Sequence, residues 1–397
     1  MKPTLVCLIF KNSIEQFNRI DLFQTSVGFI VNFSPCAHDV HTLFHRHLRA
    51  MCPAYDIQRN QVEIMKKYNV AILGATGAVG REMLKVLEER QFPIQTLRPL
   101  ASARSAGKEL PFGGGTVAVE EATRHSFEGM DIVLGAAQAD LAREMAPDIV
   151  RSGAVFVDNS SAFRMQEDVP LIVPEINPED VKMHSGIISN PNCSTIITLT
   201  AIAALHRLSP IQTIVASTYQ AVSGAGAAGL AELEAQVRGY AEGKPPVAQA
   251  FPYPIAFNVI PQIGSDSGNG YTTEEMKMQN EGRKILHLPE MKVTCTCVRV
   301  PVLRSHSISA TVVTERKIPV GEAREAIASA AGCRLVDELA AKRYPMPLET
   351  SDQDIVFVGR IRDDLTHENG LSLWCCGDQI RKGAATNAIQ IAELLLK

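Results

Sequence analysis

Cys193 stands in Asn192-Cys193-Ser194-Thr195, after Ile187-Ile188-Ser189-Asn190-Pro191 and before an apolar stretch at 196–205. That stretch reads as a helix, which puts the thiol at or just before a helix N-terminus. There the helix dipole and free backbone N–H groups lower a thiol's pKa and can hold an oxyanion growing on an attacked carbonyl. A buried, inert Cys is the alternative, and Pro and Asn flanks suit a core strand poorly. His306, in Arg304-Ser305-His306-Ser307, offers an imidazole able to move one proton near neutral pH. Glu274 and Lys277 lie three apart and share one helix face. As an ordinary surface pair they would contribute under ~1 kcal/mol.

A second chemistry is written earlier in the chain. The apolar run Tyr68–Leu73 feeds into Gly74-Ala75-Thr76-Gly77-Ala78-Val79-Gly80, and Val79, Met83, Leu84 and Leu87 follow at helical spacing. Glycines let the backbone turn sharply and approach a pyrophosphate, whose charge the helix N-terminus stabilises. The spacing is G-x-x-G-x-x-G rather than the commoner G-x-G-x-x-G. The next strand, 95–101, ends at Ser102-Ala103-Arg104-Ser105-Ala106-Gly107-Lys108. No acid lies between Gln91 and Lys108 to take ribose hydroxyls, whereas Arg104 and Ser105 suit a 2′-phosphate, so the expected cofactor is NADP.

The elements that must carry these groups follow from the alternation. Strand-like runs at 131–135 and 154–157 flank a helical stretch at 141–150, and the polar turn Asp158-Asn159-Ser160-Ser161-Ala162-Phe163-Arg164 closes the last of them. The expected fold class is α/β: a Rossmann-like doubly wound dinucleotide-binding domain, 65–191, plus an α+β catalytic and dimerisation domain, 192–378. The helix at 379–397 is expected to return to the first domain. The 397 residues allow two or three domains, and 46% hydrophobic with 21% charged residues is ordinary for a globular protein. A net charge of -4 gives no reason to expect nucleic acid or an anionic membrane as partner. Nine Cys without a paired pattern suit a reducing, cytoplasmic setting. Residues 1–64 lack the later alternation and hold no run near the ~18 apolar residues of a spanning helix. They read as a disordered leader or an overcalled start before Met65. No metal is expected: His41, His45 and His47 lack matching ligands, and neither Cys295 with Cys297 nor Cys375 with Cys376 has zinc-knuckle spacing.

Taken in order, GATGAVG, SARSAGK, DNSSAFR, SNPNCST, STYQAVSGAG, VRVPVLRSHS and GDQIRKGAATNAIQIAELL resemble the aspartate-β-semialdehyde dehydrogenases of bacterial type, from about Met65 to Lys397. The resemblance implies NADPH-dependent reductive dephosphorylation of L-aspartyl-4-phosphate to L-aspartate 4-semialdehyde and phosphate. It places that reaction in lysine, threonine, methionine and isoleucine biosynthesis, performed by a homodimer. It implies Cys193 as the nucleophile that forms a thioester, His306 as general acid/base and Gln220 as the residue orienting the acyl group. Arg299 would take the substrate α-carboxylate and Glu274 its α-ammonium, with Glu275 next door leaving the choice of acid open. Lys277, Arg164 and Asn192 would hold phosphate. Gly74, Thr76, Gly77, Ala78, Val79, Arg104, Ser105, Ser223, Gly224 and Gln379 would line the cofactor, although Gln379 stands where many relatives carry Asn. In one extended strand Arg299 and His306 would be ~23 Å apart, so the chain must fold back between them. N-acetyl-γ-glutamyl-phosphate reductase shares the architecture but typically shows G-C-Y-P-T around its Cys. A non-catalytic paralogue is the other alternative, and retention of Cys193, Gln220, Arg299 and His306 together speaks against it.

Overall fold

The structure is a computed structural model. It describes residues 66–396 and the strands β1 (Leu22–Thr25) and β2 (Gly28–Val31), which pair antiparallel. Met1–Met65 and Lys66–Lys397 are two compact units. Apart from β1 and β2, the leader reading and that of His41, His45 and His47 lie outside the described residues.

Within Lys66–Lys397 the chain first builds a parallel sheet. β3 (Tyr68–Leu73) and β4 (Ile94–Ala101) come first, and β5 (Glu109–Phe112) and β6 (Gly115–Ala118) then form a separate hairpin. β7 (Glu120–Glu121), β8 (Ile132–Gly135), β9 (Val155–Asp158) and β10 (Ile187–Ser189) complete the sheet in the order β10-β9-β8-β3-β4-β7. Val70, Ala71, Ile72 and Leu73 are all buried, as a strand covered on both faces requires. Helix α1 (Ala78–Glu89) packs Met83, Leu84, Val86 and Leu87 on one face, and α2 (Ala139–Arg151) packs Ala142, Met145, Ala146 and Ile149 on the other. This is the expected doubly wound layer.

α3 (Cys193–Leu208) then leads into a mixed six-stranded sheet. Its strands are β11 (Ile211–Gln220), β12 (Lys292–Arg299), β13 (His306–Thr314), β14 (Cys333–Leu335), β15 (Val356–Asp363) and β16 (Gly370–Gly377), in the order β12-β11-β13-β16-β15-β14. α3 is buried nearly all round and, with α5 (Thr273–Leu286) and α6 (Val320–Ala328), covers one sheet face; α4 (Gly226–Ala241) precedes α5 in the connection. On the other face β11 leaves Val215 and Tyr219 exposed, with the Tyr219 ring 5.4 Å from Trp374.

Two boundaries differ from expectation. α3 begins at Cys193 rather than near 196, because Asn192 caps it. The final segment is not one helix: a π-turn at Arg381–Ala385 precedes α7 (Thr386–Glu393), which buries Ala388, Ile389, Ile391 and Ala392 in the first layer.

Candidate active site

Cys193 is the first residue of α3. Asn192 keeps extended backbone angles, and its Oδ1 accepts the N–H groups of Ser194 (3.0 Å) and Thr195 (3.3 Å). Those two donors therefore serve the cap and are not free for an oxyanion. The thiol is half-buried, and its pKa is not lowered as its helix position suggested. Burial first, then the Glu274 charge, push it up to about 12 against the opposing pull of Lys277, Arg164 and Arg299. At rest the sulfur carries its proton.

Three further groups converge at the C-terminal end of β11. β12 pairs with β11 in parallel, placing Arg299 beside Gln220, while β13 pairs antiparallel on the other side, with Ser307 opposite Tyr219. The chain thus folds back between Arg299 and His306, and residues 300–305 cross over the end of β11. Val300 N donates to Gln220 O, and Val222 N to Val302 O. Ser305 turns the corner with φ +73°, held by a hydrogen bond from its N–H to Gln379 Oε1 at 2.9 Å. Arg304 next to it pairs with the buried Asp378 at 2.6 Å and with Asp352 at 2.8 Å. His306 is fully buried; its Nδ1 accepts the Ala221 N–H at 3.1 Å, and its Nε2 lies 3.5 Å from Gln220 Nε2. An accepting Nδ1 places the proton of the neutral ring on Nε2. Burial and the nearby Arg299 push this imidazole down to about 3, although Glu274 opposes them, so it is neutral at physiological pH.

α5 supplies the acids. Thr272 and Glu275 form a capping box, and Glu275 Oε1 also accepts the Cys297 N–H at 2.9 Å, so Glu275 is committed to structure. Glu274 faces the site. Its Oε1 accepts from Asn192 Nδ2 (2.9 Å) and Gln220 Nε2 (3.2 Å), and its Oε2 from Lys277 Nζ (2.8 Å). Burial alone would raise its pKa, but Lys277 and the two amide donors hold it at about 2. Arg164, 7% exposed, donates Nε to Asn190 O (2.9 Å), Nη2 to Asn159 O (2.7 Å) and Nη1 to Glu281 Oε1 (2.9 Å).

The glycine-rich turn divides its labour. A Cβ at Gly74, where φ is +92°, would meet Ala136 O at 2.6 Å, and one at Gly80 would meet Gly74 O at 2.3 Å, so both are required by close backbone packing. Gly77, the N-cap of α1, meets nothing closer than 3.4 Å, and no side chain caps that helix. This turn and the uncapped N-terminus of α1 fit a dinucleotide pyrophosphate, with Thr76, Ala78 and Val79 beside it. Arg104 is exposed and has no hydrogen bond or ion pair among the described residues, while Ser105 is buried and its Oγ accepts from Lys108 Nζ at 3.4 Å. Glu120 and Glu121 pair beside Leu100 and Ala101, so the sheet edge does bring acids near the end of β4. Gly224 approaches the reactive end: a Cβ there would lie 2.7 Å from Arg299 Nη1 and 3.3 Å from His306 Cε1. Gln379 Nε2 hydrogen-bonds Ser223 Oγ, so its amide ties the 222–225 turn to Ser305.

Sequence reasoning missed Glu281, whose Oε2 accepts the Asn192 N–H at 2.6 Å, and Gly383, where a Cβ would lie 2.9 Å from that of Cys193. Glu281 follows Glu274 and Lys277 on the same helix face, a spacing that could have pointed to it. Nothing local marks Gly383. Among the described residues no group of His, Cys, Asp or Glu could hold a metal ion, and no helix is long and apolar enough to cross a membrane.

Comparison with known proteins gives the same outline. Residues 69–184 match the family model described as semialdehyde dehydrogenase, NAD binding domain, and 202–382 match semialdehyde dehydrogenase, dimerisation domain. The aspartate-semialdehyde dehydrogenase of Synechocystis sp. is 52% identical over 328 residues, 83% of this chain and 97% of the relative. The crystal structure of aspartate semialdehyde dehydrogenase II from Vibrio cholerae complexed with ASA superimposes with a TM-score of 0.81 at 43% identity, over 83% of this chain and 98% of that one. The enzyme from Candida albicans with NADP gives 0.65 at 27% identity, over 83% and 98%. With its dinucleotide turn, its capped Cys193 and relatives matched along nearly their whole length, the chain belongs to the aspartate-semialdehyde dehydrogenase family.

Proposed function

We propose that this chain reduces L-aspartyl-4-phosphate to L-aspartate 4-semialdehyde with NADPH, through a thioester on Cys193, as a cytoplasmic homodimer in the biosynthesis of lysine, threonine, methionine and isoleucine. The observation that carries this reading is the charge layout around one thiol. Arg299 and Glu274 can read the carboxylate and ammonium of an amino acid, and Arg164 and Lys277 can read a phosphoryl group at its far end. The sulfur bonds to the acyl carbon as the carbon–oxygen bond to phosphate breaks, and the thiol proton leaves with the phosphate. NADPH, when bound, supplies hydride to the acyl carbon. Gln220 orients the acyl group, and His306 presents its Nε2–H as a neutral donor to the oxygen that gains charge. Expulsion of the Cys193 thiolate gives the aldehyde, and the thiolate takes up the one proton the overall reaction consumes.

Gly74, Thr76, Gly77, Ala78 and Val79 would hold the pyrophosphate, Arg104 and Ser105 a 2′-phosphate, and Ser223, Gly224 and Gln379 the nicotinamide half. NADP in the Candida albicans relative supports the choice of cofactor, ASA in the Vibrio cholerae one supports the substrate, and the open β11 face with Val215 and Tyr219 suits a second subunit.

The test is the reverse reaction: aspartate semialdehyde, phosphate and NADP, followed by NADPH absorbance. Reduction is expected, and Cys193→Ser should lower turnover about a thousandfold or more while the dinucleotide still binds. A protein inactive there but active on N-acetylglutamyl phosphate, or a Cys193→Ser variant with near-normal turnover, would sink the proposal.

A further inference from the structure

Both cations assigned to the phosphoryl group already carry a resident carboxylate. Lys277 pairs with Glu274, and Arg164 with Glu281. Glu281 is 2% exposed and bridges two parts of the site, with Oε1 2.9 Å from Arg164 Nη1 and Oε2 accepting the Asn192 N–H at 2.6 Å, one residue before the nucleophile. Each nitrogen of Arg164 has one protein acceptor. Of the five guanidinium donors, two N–H groups remain, on Nη1 and Nη2. An anion arriving there must share the guanidinium with a fixed negative charge.

We propose that Glu281 is a positioning residue that sets the affinity of the phosphate subsite: it offsets the Arg164 charge so that phosphate is held during acyl transfer and released after it. This rests on the reading of Arg164 as a phosphate ligand. The physical basis is that a buried guanidinium left without its counter-charge gains more from an incoming anion than one already paired. Neutralising Glu281 without changing its shape should therefore tighten phosphate, at the expense of its release.

The experiment uses Glu281→Gln in the phosphorylating direction, with inorganic phosphate as the varied substrate and, separately, as the ligand in thermal unfolding. The KM for phosphate is expected to fall about fivefold or more, with the KM for aspartate semialdehyde changed less than about twofold. Phosphate should also raise the melting temperature of Glu281→Gln more than that of wild type. An unchanged or higher KM for phosphate, or equal loss in every parameter as a merely structural role would give, overturns the proposal. Should Glu281→Gln not fold, Glu281→Asp, which draws the charge back by one methylene, should shift the KM for phosphate the same way by a smaller factor, and a value at or above wild type there overturns it equally. Arg164→Ala separates the two readings: it should raise the KM for phosphate, and an unchanged value there would remove Arg164 from the phosphate site without involving Glu281.

Discussion

Arg299 and His306 grip opposite ends of the same residue. The Arg299 guanidinium donates to Ala221 O at 2.6 Å, and the Ala221 N–H donates to His306 Nδ1 at 3.1 Å. Both side chains are thereby fixed to one residue just past the end of β11, and neither can turn without releasing it. The same arrangement commits the His306 ring to one tautomer, with its proton on Nε2, the nitrogen 3.5 Å from Gln220 Nε2.

Gly224 tests how tightly this grip is built. A methyl group there would sit 2.7 Å from Arg299 Nη1, and the end of a side chain yields more readily than backbone. Gly224→Ala should therefore fold normally yet raise the KM for aspartate semialdehyde roughly tenfold. Unchanged kinetics in steady-state assays would show that Arg299 has room to spare.

The buried imidazole makes acid stability a readout of the site. Its folded pKa lies below the ordinary 6.5, at about 3, so between those values the unfolded chain binds a proton that the folded chain does not. Stability should fall as pH drops through that window, by on the order of 1 kcal/mol per pH unit from this group. Glu274, held at about 2 against 4.5, adds its own loss only below about pH 4.5. Denaturant melts at pH 5 to 6 should show a shallower slope for His306→Asn than for wild type, and parallel slopes would contradict a neutral His306.

Cys193 should be a slow thiol in the resting enzyme. With its pKa near 12, little thiolate exists at pH 8, so iodoacetamide should label Cys193 more slowly than a free cysteine. Glu274→Gln removes the negative charge that raises the thiol's pKa and should speed labelling, as followed by peptide mass spectrometry. Slower labelling in that variant would mean that Glu274 does not raise the thiol's pKa.

The 2′-phosphate role proposed for Arg104 predicts a cofactor preference. It is exposed and has no partner among the described residues, so Arg104→Ala should leave the melting temperature unchanged. The KM for NADP should rise about tenfold or more while that for NAD scarcely moves. Equal losses for both would remove the 2′-phosphate role.

What could be read from the sequence was what short-range geometry decides. The glycine turn between β3 and α1 and the strand alternation around it follow from neighbouring residues, as does the helix placed after Cys193. The thiol's protonation state was misread because helix position is local, whereas burial and Glu274 arrive from elsewhere in the fold. Glu281 was missed for the same reason: its partners Arg164 and Asn192 lie 117 and 89 residues away in sequence. The resemblance pointed to Glu274 with Glu275 as the open alternative, and only the fold shows that Glu275 is spent on the helix start.

The terminal segment has a bearing on how the enzyme is born. Gln379 joins the 222–225 turn to Ser305, Gly383 backs Cys193, and Arg381 reaches Glu82 and Glu89 of α1 as well as Asp354. These residues come far later in the chain than the strands of the dinucleotide sheet, whereas domains generally fold from the N-terminal side during synthesis. Nascent chains can complete the dinucleotide strands early, but Cys193 gains its backing only once residues 379–383 have been made, so folded strands can precede a finished site.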